Sequence, residues 1–219
     1  MIVRALGISH RRALLDAELV PLAARVRGRV IEIGSRRAGR GRFADPAAVG
    51  CWVRMDIDPR HAPDVVGDAM RLPLRDGVAD WVVCLEVLQY VIAPEVAVAE
   101  IARVLVPGGH TVLSVPFLHR ADAPTDRHRF TEARLRELLS VGGLRIEHLT
   151  PQGGFFGALA HHVRQAAAQP RRRAVRWALG ALVVPVGAAL GATDRLAAVR
   201  RSAFLSSFST GFLAVARKG

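Results

Sequence analysis

Over residues 10–150, short apolar runs alternate with stretches in which apolar positions recur every three or four residues. The runs predict buried strands and the recurring stretches predict amphipathic helices. Leu14, Leu15, Leu19, Val20, Leu22, Ala23 and Val26, set among arginines, predict a helix within 10–28. Val30, Ile31 and Ile33 are β-branched and predict the first strand, which Gly34 ends at once. A short helix is expected near Pro46–Val49, a second strand at Cys51–Met55, a third at Val65-Val66 and a fourth at Asp80–Cys84. Leu85–Val91 is expected to turn into a helix. A stronger helix, Pro94–Leu105, carries Val96, Val98, Ile101, Val104 and Leu105, and Pro107-Gly108-Gly109 is expected to stop it. Strand five follows at His110–Val115. Thr131 is placed to N-cap a helix over Glu132–Ser140. Leu144–Leu149 and Phe208–Ala216 complete the strands. Strands alternating with helices through short joints indicate an α/β, doubly wound, mainly parallel sheet.

Between the last two strands lie more than fifty residues, too many for a simple connection, so this insertion must carry its own structure. Gly153–Gln169 reads as one helix, and Arg171-Arg172-Arg173 as the basic start of a second. Trp177–Ala192 then runs without a charge. It falls short of the roughly 20 apolar residues of a membrane span, and Pro185 with its neighbouring glycines weakens it as a straight helix. Three readings stay open. It is a buried helical hairpin over the sheet and substrate side, a surface lying on a membrane with Arg171–Arg173, Arg176, Arg200 and Arg201 on anionic headgroups, or a homodimer contact. The resulting division is 1–29 as an N-terminal helical segment, 30–150 as the core, 151–207 as the insertion and 208–219 as the last strand.

Composition narrows the partners. The 219 residues are 51% hydrophobic, enough for one domain with an appendage. The net charge of +12 is uneven, because residues 151–219 hold ten basic residues against one acid, Asp194. The remainder is nearly balanced. This argues against a nucleic-acid footprint over the whole domain and for a local patch facing anionic lipid, phosphate or RNA, with a merely solvated face as the alternative. Cys51 and Cys84 form no disulfide framework and suit a reducing cytosol. The first residues lack a signal-peptide pattern, so the expected location is cytoplasmic, extending to the membrane periphery. No metal-ligand set is seen: His161 and His162 are adjacent and read as solvent or interface residues.

The candidate chemistry starts at the Gly34 turn, since a glycine at a strand end lets backbone approach an anionic or nucleotide ligand. Asp56 lies 22 residues further on, near the spacing at which α/β nucleotide binders place an acid on the ribose hydroxyls. No G-x-G-x-x-G follows the first strand, which disfavours a nicotinamide dehydrogenase. The run EIGSR, MDID, DVVGDAMRLPLRDGVADWVVCLEVLQYV and EIARVLVPGGHTVLSVPF, taken in order, resembles the class I S-adenosylmethionine-dependent methyltransferases, nearest the type 11 group. The resemblance covers about residues 28–150. It implies a Rossmann-like, seven-stranded sheet whose last strand inserts antiparallel between strands five and six, with S-adenosyl-L-methionine as cofactor.

It further implies that Glu32, Gly34 and Ser35 border the methionine part and that Asp56 and Ile57 hold the ribose and flank the adenine. Asp68 and Ala69 would read the adenine edge, and Cys84, Leu85 and Glu86 would pass under the methionine moiety. Arg36 and Arg37 depart from the usual small residues of the first loop, and Tyr90 stands where relatives often carry His. The segment after strand five is the substrate side. If the acceptor is a hydroxyl, His119, Asp122, Asp126 and His128 are the candidates to take its proton, while Asp126 with Arg129 equally suits an ion pair fixing the loop. The implied activity is methylation of a small molecule, O-methylation of a glycan or lipid-linked metabolite being the leading form. A non-catalytic membrane-associated scaffold is the rival. An RNA methyltransferase is weaker, because no RNA-binding module or basic aromatic strand is present.

Overall fold

A computed structural model describes residues 10–35 and 49–219 of the chain. Two compact units are present, Glu18–Thr150 with Phe212–Gly219, and Met1–Ala17 with Pro151–Gly211. The sheet has seven strands in the order β3-β2-β1-β4-β5-β7-β6. They are β1 (Gly28–Ile33), β2 (Val49–Asp56), β3 (Val65–Val66), β4 (Ala79–Leu85), β5 (Leu105–Pro116), β6 (Leu144–Pro151) and β7 (Gly211–Lys218). Strands β1 to β5 pair in parallel, with Ile31 opposite Val53 on one side and Val82 on the other. β7 runs antiparallel, which is the expected seven-stranded mixed topology. Val30–Ile33 of β1 and nearly all of β4 are buried, as strands of a covered parallel sheet should be.

Helix α1 (His10–Ala23) precedes β1 and runs on through Pro21. Helix α2 (Pro94–Val104) buries Ala97, Val98, Ile101, Ala102 and Val104. Helix α3 (Glu132–Val141) is capped as expected, Thr131 Oγ1 accepting the Arg134 N–H at 3.2 Å.

Two expectations are corrected. In Leu85–Val91, Leu85 still belongs to β4, and 86–91 form a bend and turns and no helix. The apolar spacing of this segment looks helical, yet Glu86 sits at φ 59°, which a helix cannot contain. Pro107-Gly108-Gly109 does not stop α2. The helix ends at Val104 and Leu105 is already extended, so the glycines fall inside β5. There they form an irregularity between β4 and β5, where the pairing jumps from Ala79↔Leu105 to Trp81↔His110. The expected helix near Pro46–Val49 lies mostly outside the described residues, and Val49 itself opens β2.

The second unit carries α4 (Phe155–Ala167), α5 (Arg173–Thr193), α6 (Ala197–Arg201) and α7 (Ala203–Ser206). Pro185 does not break α5, which continues as one 21-residue helix. α4 and α5 pair as a hairpin, but α5 is not a buried helix, since only Gly180 and Gly187 are buried in it. His161, expected at the surface, is fully buried within α4. Asp194, at the C-terminal end of α5, accepts the N–H groups of Gly154, Phe156 and Gly157 at 2.8, 3.1 and 2.7 Å, so it caps α4 from forty residues away.

Candidate functional site

The carboxyl ends of β1, β2 and β4 meet where the chain order reverses around β1, the crevice that open α/β sheets use for ligands. Gly34 leaves β1 with φ 74°, and the N–H groups of Gly34 and Ser35 both donate to the Met55 carbonyl, at 2.8 and 3.0 Å. The turn is therefore tied to the end of β2, where Asp56 stands. Asp56 is buried. One carboxylate oxygen accepts the Asp58 N–H at 2.9 Å and the other lies 3.0 Å from His61 Nδ1. A carboxylate has about four lone-pair positions, so capacity remains for two hydroxyl donors. Beside it Ile57 is 68% exposed, an apolar surface left open at the strand end. Asp68 Oδ1 accepts the Met70 N–H at 2.9 Å and holds the next turn, with Ala69 buried behind it.

Glu32 is buried within β1, and its Oε2 accepts the Trp52 indole N–H at 2.9 Å. The side chains of Cys84 and Leu85 point into the core, so only their backbone can border a ligand. Glu86 follows in the left-handed region, its Oε1 accepting the Ser114 hydroxyl at 2.7 Å and its N–H donating to the Ser114 carbonyl at 3.0 Å. A strained non-glycine residue at a strand end, held from two sides, marks a backbone the fold over-determines. Arg36, Arg37 and Gly39, the unusual part of the first loop, lie outside the described residues.

The segment after β5 is bound to the turn after β4. The Gln89 carbonyl accepts the N–H groups of Arg127 and His128 at 2.8 and 3.2 Å, and Gln89 Nε2 donates to the Glu86 carbonyl at 3.0 Å. Three of the four base candidates converge. His119 Nε2 lies 3.8 Å from Asp122 Oδ2, the Tyr90 hydroxyl donates to Asp122 Oδ1 at 2.8 Å, and the Asp122 N–H donates to Asp126 Oδ2 at 3.1 Å. His128 goes elsewhere: its Nε2 is 2.9 Å from the Val91 carbonyl, and its ring tilts against Phe130.

Electrostatics separates the roles. Asp126 has a side chain only 1% exposed, and Arg129 grips it with Nη2 to Oδ2 at 2.7 Å. Arg129 also donates to the carbonyls of His119, Arg120 and His128 at 3.0, 2.7 and 2.7 Å. Hydrogen bonding to that guanidinium holds the Asp126 carboxyl below the usual range and raises Arg129 in turn. An ionised carboxylate so engaged fixes the loop and is a poor proton acceptor. Burial, then the bond to Asp122, pushes the Tyr90 phenol up to about 12, so it stays protonated and acts as a donor. This leaves His119, with Nε2 3.8 Å from Asp122 Oδ2, as the group with a ring nitrogen suited to accept a proton. Sequence inspection saw Tyr90 only as a missing His and did not single out Gln89 or Ser114. Nothing in the local pattern marks these two, because their roles come from partners about 28 to 40 residues away.

Residues 38–113 match the family model described as a methyltransferase domain. No curated protein matches the chain by sequence. Among solved structures, the [4+2]-cyclase SpnF aligns with 92% of this chain and 80% of its own at 22% identity and a TM-score of 0.59. A geranyl diphosphate methyltransferase in complex with S-adenosylmethionine aligns over 94% and 84% at 14% identity and a TM-score of 0.59. The YcgJ protein of Bacillus subtilis aligns over 95% of both chains at 15% identity and a TM-score of 0.53. At these identities the likeness is one of fold.

Proposed function

We propose that this chain, a class I S-adenosylmethionine-dependent methyltransferase by its matched domain and its fold, methylates an oxygen of a small-molecule acceptor, a glycan or a lipid-linked metabolite. The cofactor supplies an electrophilic sulfonium methyl group. The residues at the strand ends suit it: Asp56 for the ribose hydroxyls, Ile57 and Asp68-Ala69 for the adenine, and the backbone of Gly34-Ser35 and Cys84–Glu86, with Glu32, for the methionine end. The observation that supports an oxygen acceptor is the His119–Asp122–Tyr90 chain on the substrate side. Methyl transfer is an in-line displacement in which positioning supplies most of the rate. His119 accepts the hydroxyl proton while Asp122 orients the imidazole, and Arg129 with Asp126 holds the loop that carries both.

Calorimetry with S-adenosylmethionine and S-adenosylhomocysteine, against NAD as control, tests the cofactor site. Asp56→Ala should weaken binding of both by one or two charge-assisted hydrogen bonds, about 1.5–3 kcal/mol each. Unchanged affinity removes Asp56 from the site. Methyl transfer to panels of glycans and lipid-linked alcohols then tests the acceptor, and His119→Gln should lower kcat with little change in cofactor affinity. A second reading, a non-catalytic binding protein on the same sheet, is favoured if the cofactor binds and no panel member is methylated. The likeness to a cyclase illustrates that this fold is not confined to methyl transfer.

A further inference from the structure

Helix α5 has the composition of a core helix and the exposure of a surface one. No charged residue occurs from Trp177 to Ala192. Yet its buried positions are only Gly180 and Gly187, and Gly187 faces α4. A methyl group added at Gly187 would meet Ala160 Cβ at 3.6 Å and Arg164 Cδ at 3.3 Å. Beside that face Val175, Leu179, Leu182 and Val186 form one stripe, 43, 37, 64 and 49% exposed. Trp177, 55% exposed, lies about half a turn away, on the other side of the helix from this stripe. Leu159 and Val163 of α4 are exposed as well, and an apolar groove of about 270 Å³ opens between the two helices. A helix facing water shows polar residues there, and a patch of this size marks a surface that something covers.

The charge around the stripe identifies the cover. Arg171, Arg172, Arg173 and Arg176 lie around its start, and Arg195, Arg200 and Arg201 after its end. The one acid in residues 151–210, Asp194, is occupied capping α4. We propose that the α4–α5 unit docks flat on an anionic lipid bilayer, with the apolar stripe at the acyl boundary and the arginines on the headgroups. A stripe of Leu and Val, flanked by arginines and free of acid, is the pattern of an interfacial helix. A second copy of the chain fits worse, because a two-fold contact through this stripe sets one arginine rim against another. Crossing the bilayer also fits worse. α5 is long and apolar enough in length and composition, but its glycine face packs on Arg164, which spanning would carry into hydrocarbon.

The test is flotation of the full chain with vesicles of neutral phosphatidylcholine, and with the same lipid containing anionic phosphatidylglycerol. Binding is expected only to the anionic vesicles, released by raised salt. Leu182→Glu with Val186→Glu, both at exposed positions, should lower partitioning by about tenfold or more while circular dichroism stays unchanged. Arg172→Glu with Arg173→Glu should do the same. Four outcomes overturn the proposal: equal recovery with neutral vesicles, full binding by the Leu182/Val186 variant, retention after an alkaline wash, which means a spanning helix, or a stable dimer by light scattering that Leu182→Glu dissociates. All of these readouts are independent of methyl transfer.

Discussion

Replacing Gly34 by Ala is the sharpest single perturbation of the cofactor turn. Two costs are visible. Gly34 sits at φ 74°, in the left-handed region that a side chain disfavours by about 1–2 kcal/mol. An added Cβ would also lie 2.2 Å from Val87 Cγ2. Val87 packs against the core and is β-branched, so it has no easy alternative rotamer. Overpacking of this kind costs about 1–3 kcal/mol. Gly34→Ala should therefore lose about 2–5 kcal/mol in urea unfolding, a fall in midpoint of at least about 1 M for an ordinary m-value. The two costs separate in a double-mutant cycle. Val87→Ala alone should cost about 1–2 kcal/mol for its two methyl groups. In the Gly34→Ala background it should recover the steric part, a coupling of about 1–3 kcal/mol, and leave the backbone part in place. Cofactor titration of the double variant then asks whether the turn itself carries affinity. A single Gly34→Ala variant within about 0.5 kcal/mol of the parent, or a cycle without coupling, refutes the reasoning.

Asp126→Asn should destabilise the protein by about 2–5 kcal/mol at pH 7, because it leaves the Arg129 guanidinium without its carboxylate. The Asp126 carboxyl is held below its ordinary value, so its contribution is complete above about pH 4 and lost as pH falls through the lowered folded-state value. The variant's stability should accordingly vary less with pH below 4 than the parent's, and an unchanged acid limb in urea melts would contradict the pairing. Tyr90→Phe should lower kcat about tenfold with cofactor affinity intact, since Asp122 loses the donor that orients it. Equal kcat would place Tyr90 outside the reaction. Asp194→Ala should cost about 1–2 kcal/mol and raise amide exchange at Gly154, Phe156 and Gly157 before any strand of the sheet opens.

The strands were legible because a covered parallel sheet leaves a plain record. Trp81–Cys84 is a continuous apolar run and Val30–Ile33 an apolar run broken only by Glu32, closed by a turn and a glycine, and no helix of that length competes. Leu85–Val91 misled because Leu85, Leu88 and Val91 have helical spacing, while the backbone there is committed to Ser114, Arg127 and His128. Those partners are remote in sequence and override local preference. Pro185 misled in the opposite direction: surrounding Leu, Val and Ala carry the helix across the missing N–H. In the substrate segment, residue types identified His119, Asp122 and Asp126 as candidates, but only geometry shows that His128 turns to Val91 and that Asp126 belongs to Arg129.

The place of β7 has a consequence for how the chain folds during synthesis. β7 lies between β5 and β6, so the sheet is closed by residues 211–218, made after every helix of the insertion. Until those residues leave the ribosome, β5 has an open edge and β6 has no neighbour on that side. Lys218 Nζ then donates to the Leu105 carbonyl at 2.8 Å and Arg217 Nε to the Gly108 carbonyl at 3.2 Å, fastening the last residues to the beginning of β5. The sheet therefore depends on pairings more than a hundred residues apart, the slow and aggregation-exposed kind. A nascent chain stalled before Gly211 lacks the strand that pairs with both β5 and β6.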